Sequence, residues 1–220
     1  MGDRWATFDC YGTLIDWERG IKQTLHDLWP GADETRLLER YHEIEPRVQA
    51  GSDAPYRTVL ADVLSEIASA EQLKLHESDQ DAFARSLPSW PPFPDVPDAL
   101  RAIKSSGWHT AVLSNTDPDL LDTSIANISV PFDARITAAE AGSYKPARGH
   151  WDRFFSSTGA DRAQHVHVAA SVFHDIEPAN ELGLRTIWIN RNDERSDVAR
   201  SAELPNLSNL ADVLDEVVRG

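Results

Sequence analysis

Short apolar runs recur along the chain, and each ends on polar residues. Trp5-Ala6-Thr7-Phe8 leads into Asp9 and a turn containing Gly12. Thr110-Ala111-Val112-Leu113 runs into Ser114-Asn115, and His165-Val166-His167-Val168-Ala169-Ala170 runs towards Asp175. Arg185-Thr186-Ile187-Trp188-Ile189 runs into Asn190-Arg191. Such short, β-rich runs predict strands buried in a parallel sheet. Arg135-Ile136-Thr137-Ala138 is a further short candidate. Helical patterns lie between them. One runs from Pro97 to Lys104 and ends near Gly107. Another starts at Asp117 as a cap, with Pro118 first in the helix and Leu120, Leu121 and Ile125 on one side. Two more cover Pro178 to Leu182, stopped by Gly183, and Leu207 to Val218. Strand–helix alternation predicts an α/β fold with a doubly wound, mostly parallel Rossmann-like sheet.

Residues 16–94 break that alternation. Ile21, Leu25 and Leu28, then Leu37, Leu38, Tyr41, Ile44 and Val48, then Tyr56, Val59, Leu60, Val63, Leu64 and Ile67 follow helical spacing. The stretch closes on Trp90-Pro91-Pro92-Phe93-Pro94, where three prolines disfavour helix. The expected organisation is a core of residues 1–15 and 95–220, with a helical cap of residues 16–94 inserted after the first strand.

The charge balance narrows the partners. With 36 acidic and 21 basic residues, the formal net charge is −15, which argues against a nucleic-acid backbone or an anionic membrane. A 41% hydrophobic content is that of a globular chain. The single cysteine, Cys10, excludes an internal disulfide framework and a cysteine-based zinc cluster. No apolar run has the length of a membrane span, and the N-terminus lacks signal-peptide character, so a soluble cytoplasmic protein is expected.

Ligands of open parallel sheets bind beyond the carboxyl ends of the strands. Asp9, Thr13, Ser114, Asn115, Lys145 and Asp175 concentrate there, aiming carboxylates, hydroxyls, an amide and an ammonium at one cleft. A helical insert after the first strand would cover that cleft and exclude water. The bland alternatives are a turn cap for Asp9, a surface lysine, and a helix cap for Asp175 at Ile176; the order and number of these segments weigh against them. His165 and His167 share one strand face and read as structural histidines. The tryptophans read as packing residues, with Trp17 and Trp151 placed near the pocket, and Cys10 reads as a buried neutral thiol.

Phe8-Asp9-Cys10-Tyr11-Gly12-Thr13-Leu14, Leu113-Ser114-Asn115, Tyr144-Lys145-Pro146 and the Asp175 segment resemble, in order, the four motifs of the haloacid dehalogenase superfamily. Within it the chain is most similar to the L-2-haloacid dehalogenases, type II. Phosphatases of the superfamily carry a second Asp where this chain has Tyr11, and further acids in the last motif, where it has Ala170. A hard cation is thereby left with few oxygen ligands, so no metal and no cofactor is expected. The resemblance implies Asp9 as nucleophile, Lys145 as its charge partner and Asp175 as the base that activates water. Tyr11, Thr13, Ser114 and Asn115 would line the substrate site. Three positions depart from the family. Trp151 stands six residues after the lysine in place of an aromatic hydroxyl, and Ala170 and Val172 replace a serine and an asparagine. Ser171 and His174 are the candidate replacements. For the halide-receiving arginine of the cap, Arg40 ranks first, with His42, Arg47 and Arg57 behind it.

The expected activity is a cofactor-independent hydrolase that displaces halide from a small L-2-haloacid through an aspartyl ester, giving the D-2-hydroxy acid. Its partner is then a small anionic organic acid, and the resemblance adds a homodimer. The alternatives are a hydrolase of another activated small acid such as a strained cyclic amino acid, a magnesium-dependent phosphatase, and a non-catalytic relative with the same fold.

Overall fold

The computed structural model describes residues 3–50, 52 and 54–219. Six strands, β1 (Arg4–Phe8), β2 (Trp108–Ser114), β3 (Ala134–Thr137), β4 (His165–Ala169), β5 (Arg185–Ile189) and β6 (Ala202–Leu204), form one sheet in the order β3-β2-β1-β4-β5-β6. Every pairing is parallel, with Phe8 opposite Val112 on one side and Val168 on the other. The strand order reverses between β1 and β4, which makes their carboxyl ends the expected ligand crevice. The doubly wound α/β class is thus the observed one.

Ten helices complete the chain: α1 (Trp17–Leu28), α2 (Glu34–Gln49), α3 (Tyr56–Ala70), α4 (Ala82–Ser86), α5 (Val96–Ser105), α6 (Pro118–Ile128), α7 (Ala138–Ala141), α8 (Gly149–Thr158), α9 (Glu177–Glu181) and α10 (Leu210–Arg219), counted among the described residues. Asp16 and Asp33 start α1 and α2 by accepting the amide N–H groups of Arg19 and Arg36. One sheet face buries Phe8, Val112, Val166, Val168 and Ile187 with Leu100, Ile103, Leu210 and Leu214 of α5 and α10. The other packs Trp5, Ala111, Leu113 and Ile136 against Trp151 and Phe154 of α8.

Between β1 and α5 the described residues hold helices and turns and no strand. Helix α1 presses against the return segment so closely that a Cβ at Gly20 would overlap the Trp90 indole. A helix and a strand of the sheet layer are among the departures from the expectation. Helix α8 is absent from it because its apolar positions, Trp151, Phe154 and Phe155, span little more than one turn. Strand β6 is absent because its alternation, half-buried Ala202 and Leu204 about exposed Glu203, covers only three residues.

Candidate active site

Asp9 follows β1 directly, and its amide N–H donates to the Val168 carbonyl at 3.1 Å, so the carboxylate emerges at the β1–β4 crevice. The chain then turns sharply. The amides of Leu14 and Ile15 both donate to the Cys10 carbonyl, at 2.7 and 2.9 Å, and Gly12 adopts a φ of +91° that a side chain would resist. This turn returns Thr13 to the carboxylate, where its Oγ1 donates to Asp9 Oδ2 at 2.8 Å and accepts the Ala170 amide at 2.9 Å.

Lys145 reaches the same point from the loop after α7. The Asn115 side chain clamps its backbone, accepting the Lys145 N–H at 2.6 Å and donating to the Lys145 carbonyl at 3.0 Å. The buried ammonium then donates to Asp9 Oδ1 at 2.8 Å, Asp175 Oδ1 at 2.7 Å and the Leu113 carbonyl at 2.9 Å. All three of its donors are engaged. Asp175 sits in a wide helical turn, Val172–Ile176, capped by Ser171, whose Oγ accepts the His174 amide. Asp175 does not cap the helix that follows; its Oδ1 also accepts from His167 Nε2 at 3.0 Å, and its buried Oδ2 has no partner among the described residues.

Burial alone would push both carboxylates up. For Asp175 it is outweighed by the Lys145 ammonium and by His167, and the group is held down at about 2. For Asp9 burial prevails over Lys145 and Thr13, reinforced by the Asp175 charge, and its pKa rises. Lys145 itself is raised, because two carboxylates outweigh its burial. The result is one firmly ionised carboxylate beside a more basic one.

These groups open onto a cavity of about 290 Å³. The strand ends and the loops beyond them contribute Asp9, Tyr11, Ser114, Asn115, Lys145, Ser171, His174 and Asp175; the helical stretch between β1 and α5 contributes Trp17, Tyr41, His42, Glu45, Pro46, Gln49, Tyr56 and Trp90. Ser114 Oγ is buried without a partner, and the amide N–H groups of Cys10 and Tyr11 make no hydrogen bond among the described residues. The Tyr11 hydroxyl turns away to Ser124 Oγ at 3.0 Å, leaving the ring to face the cavity.

Some expected site residues are placed otherwise. Arg40 does not line the cavity: it points outward, paired with Glu71 at 2.8 Å and Glu43 at 2.7 Å. Arg47 pairs with Glu66, and Arg57 with Asp117 and Asp119, so among the described residues the lining holds no arginine; His42, beside Glu18 at 3.3 Å, occupies that wall. Trp151 is fully buried behind the site, its ring edge-on to His167 at 5.3 Å, because the apolar face of α8 turns inward to the sheet. Asn115 lines the cavity, yet both its N–H donors are engaged, by Lys145 and by Gln49 Oε1 at 3.1 Å, so it acts first as a brace. Glu45 and Gln49 were not singled out by the sequence, since nothing in a helical pattern tells a polar residue facing a cleft from one facing water. The sequence pattern makes His167 structural; a polar side chain within an otherwise apolar strand is the signal that points further.

Magnesium is the cation that the fold family implies for phosphoryl transfer, and the donor set does not fit it. Tyr11 and Ala170 supply no carboxylate, Lys145 binds both Asp9 and Asp175, and among the described residues no group of three His, Cys, Asp or Glu side chains is placed to hold an ion.

A family model described as haloacid dehalogenase-like hydrolase matches residues 4–183. The chain is 25% identical to (S)-2-haloacid dehalogenase 1 of Pseudomonas sp. (strain CBS-3) over 222 residues, covering 98% of this chain and 97% of that one. It is 26% identical to haloacetate dehalogenase H-2 of Moraxella sp. (strain B), covering 84% of each. Among solved structures, the L-2-haloacid dehalogenase of Xanthobacter autotrophicus with chloropropionic acid covalently bound superposes with a TM-score of 0.85 at 21% identity, covering 99% of both chains. The family match spans most of the sheet and all four segments that meet at Lys145, and on it the chain belongs to the haloacid dehalogenase-like hydrolases.

Proposed function

We propose that the chain hydrolyses a small 2-substituted carboxylic acid by nucleophilic substitution at carbon, with 2-haloacids as the first substrate class. The Asp9 carboxylate attacks the carbon bearing the halogen; a C–O bond forms, the C–halogen bond breaks, and halide leaves with the electron pair. Water then adds to the Asp9 ester carbonyl, its proton passing to Asp175; the acyl C–O bond breaks, Asp175 returns the proton to the departing alkoxide, and the 2-hydroxy acid leaves with one former Asp9 oxygen while the Asp9 carboxyl re-forms. The Cys10 and Tyr11 amides and the Ser114 hydroxyl are the free donors for the substrate carboxylate. The helical insert serves as the cap that keeps bulk water from the ester.

The observation that carries this reading is the Lys145 ammonium bridging Asp9 and Asp175 at 2.8 and 2.7 Å on the cavity floor. It supplies in place the positive charge that phosphoryl transfer would draw from a dication, and it steadies the anion formed as water attacks the ester. One observation favours a second substrate within the same chemistry. Asp9, Glu45 and Asp175 face the cavity against Lys145, and burial raises the Glu45 pKa, with no Lys or Arg among the described residues paired to it. A strained cyclic amino acid brings an ammonium that a haloacid lacks.

Brief exposure to (S)-2-chloropropionate or azetidine-2-carboxylate, followed by intact-protein mass spectrometry, should reveal an ester adduct confined to the Asp9 peptide. Asp9→Asn, with its asparagine verified by mass, should form none. Rapid EDTA-sensitive release of phosphate from a phosphomonoester, with no adduct on either acid, would overturn the proposal.

A further inference from the structure

Behind Asp175 lies a buried polar chain that the two-step chemistry leaves unused. Thr7 Oγ1 lies 2.9 Å from His165 Nε2 and 2.8 Å from His167 Nδ1, and His167 Nε2 lies 3.0 Å from Asp175 Oδ1. Thr7, His165 and His167 are all fully buried on one sheet face, outside the cavity lining. Thr7 is therefore no substrate nucleophile, although an aspartate, a histidine and a hydroxyl stand in line.

The proton positions follow from donor arithmetic. An ionised Asp175 only accepts, so His167 Nε2 carries the hydrogen, and in a neutral ring Nδ1 is then an acceptor. Thr7 must donate its one hydroxyl hydrogen to that Nδ1. Its oxygen is then left to accept from His165 Nε2–H, and His165 Nδ1 becomes a lone pair. That atom is the one without a partner, in a ring packed by Phe154 and Phe155 at 5.4 and 4.9 Å. The polarity runs one way, from His165 through Thr7 and His167 to the carboxylate.

On the reading of Asp9 as nucleophile and Asp175 as base, we infer that His167, held by Thr7 and His165, is the positioning residue of Asp175. With Lys145 and His167 both on Oδ1, the carboxylate cannot rotate, and Oδ2 is the oxygen kept for the water that attacks the ester. The site needs such a brace because Ala170 and Val172 offer no polar side chain to this carboxylate. The titratable groups facing Asp175 are Asp9, Lys145, His150, His167 and His174.

The test separates the two half-reactions. After loading with (S)-2-chloropropionate, His167→Leu should form the Asp9 ester at the parent rate but hydrolyse it about 10- to 100-fold more slowly, the usual scale for losing a group that orients an active one. The acid limb of ester hydrolysis should shift to higher pH, since Asp175 has lost a donor that favours its ionised form. His167→Gln, which retains an N–H donor, should recover most of the rate. Unchanged ester hydrolysis and an unchanged pH limb in a folded His167→Leu protein would overturn the inference and leave the Asp9 reading intact. Absence of any ester in the parent protein would overturn the Asp9 reading. The brace is then judged by nitrogen NMR of the parent's histidine rings, where Nε2–H tautomers of His165 and His167 support it and an Nδ1–H tautomer of His167 refutes it.

Discussion

Lys145 is an ammonium enclosed by protein, and its neighbours explain how it stays charged. Each carboxylate lowers the cost of the buried cation, and the cation lowers the repulsion between the carboxylates, whose Oδ1 atoms both touch it. Removing it should be expensive. In Lys145→Met, Asp9 and Asp175 would face each other without a cation, at a cost of about 3–5 kcal/mol near neutral pH, the range for stripping one partner from a buried ion pair. The sign of the pH response follows. The unscreened pair would bind a proton more readily folded than unfolded, so the variant should recover stability relative to the parent as the pH falls from neutral towards about 4, the ordinary carboxylate value. Urea unfolding near pH 7 and near pH 5 checks this. A variant as stable as the parent at neutral pH would show that the triad is not held as described.

At the level of elements, the helical insert is tied to the sheet layer by a cap that crosses the boundary. The chain position of Asp117 makes it the expected cap of α6, but its side chain makes no bond there. Its carboxylate instead accepts the amides of Tyr56 and Arg57 at the start of α3, both at 3.0 Å, and the Arg57 side chain at 3.0 Å. Because α3 carries Tyr56 into the cavity wall, this contact sets both stability and the shape of the roof. Asp117→Ala should lower the unfolding free energy by about 1–2 kcal/mol, the cost of an N-cap, and should raise KM more than it lowers kcat. Denaturant melts and steady-state kinetics on the substrate found by mass spectrometry test the two halves; an unchanged midpoint would refute the cross-boundary cap. The sequence read Asp117 as a helix start from its position before Pro118. Which helix receives its side chain depends on two segments some sixty residues apart, and no local pattern carries that.

For the molecule as a whole, acid stability should follow its buried histidines before its carboxylates. Burial pushes His150 down to about 4, with the Lys145 charge adding to the effect, and burial also depresses His165 and His174. Each is neutral when folded yet takes a proton in the unfolded chain once the pH drops below about 6.5, so each withdraws stability from there downward, at a limiting slope of about 1.4 kcal/mol per pH unit. Asp175, depressed by its partners, adds a second loss as the pH falls from about 4 towards its folded value of about 2. Asp9, raised, has the opposite sign and offsets part of that second loss. Unfolding midpoints measured from about pH 7.5 to 4.5 should fall below about pH 6.5. A flat profile across that window would show that these rings are protonated when folded.

Apolar runs ending on polar residues determined, without further help, the five longer strands, their parallel arrangement, the helical stretch between β1 and α5 and the four segments that meet at the cleft. Those properties are local: a buried strand must be apolar along its length, and its polar terminus marks where it leaves the core. Tertiary structure decided what local pattern cannot hold. It turned Arg40 outward to Glu71 and Glu43, put His42 and Glu45 on the cavity wall, sent Trp151 behind the site, and set His167 against Asp175. The reason is geometric. The direction of a charged side chain on a helix, or of a histidine within a strand, depends on which distant partner reaches it first, and that choice exists only once the chain is packed.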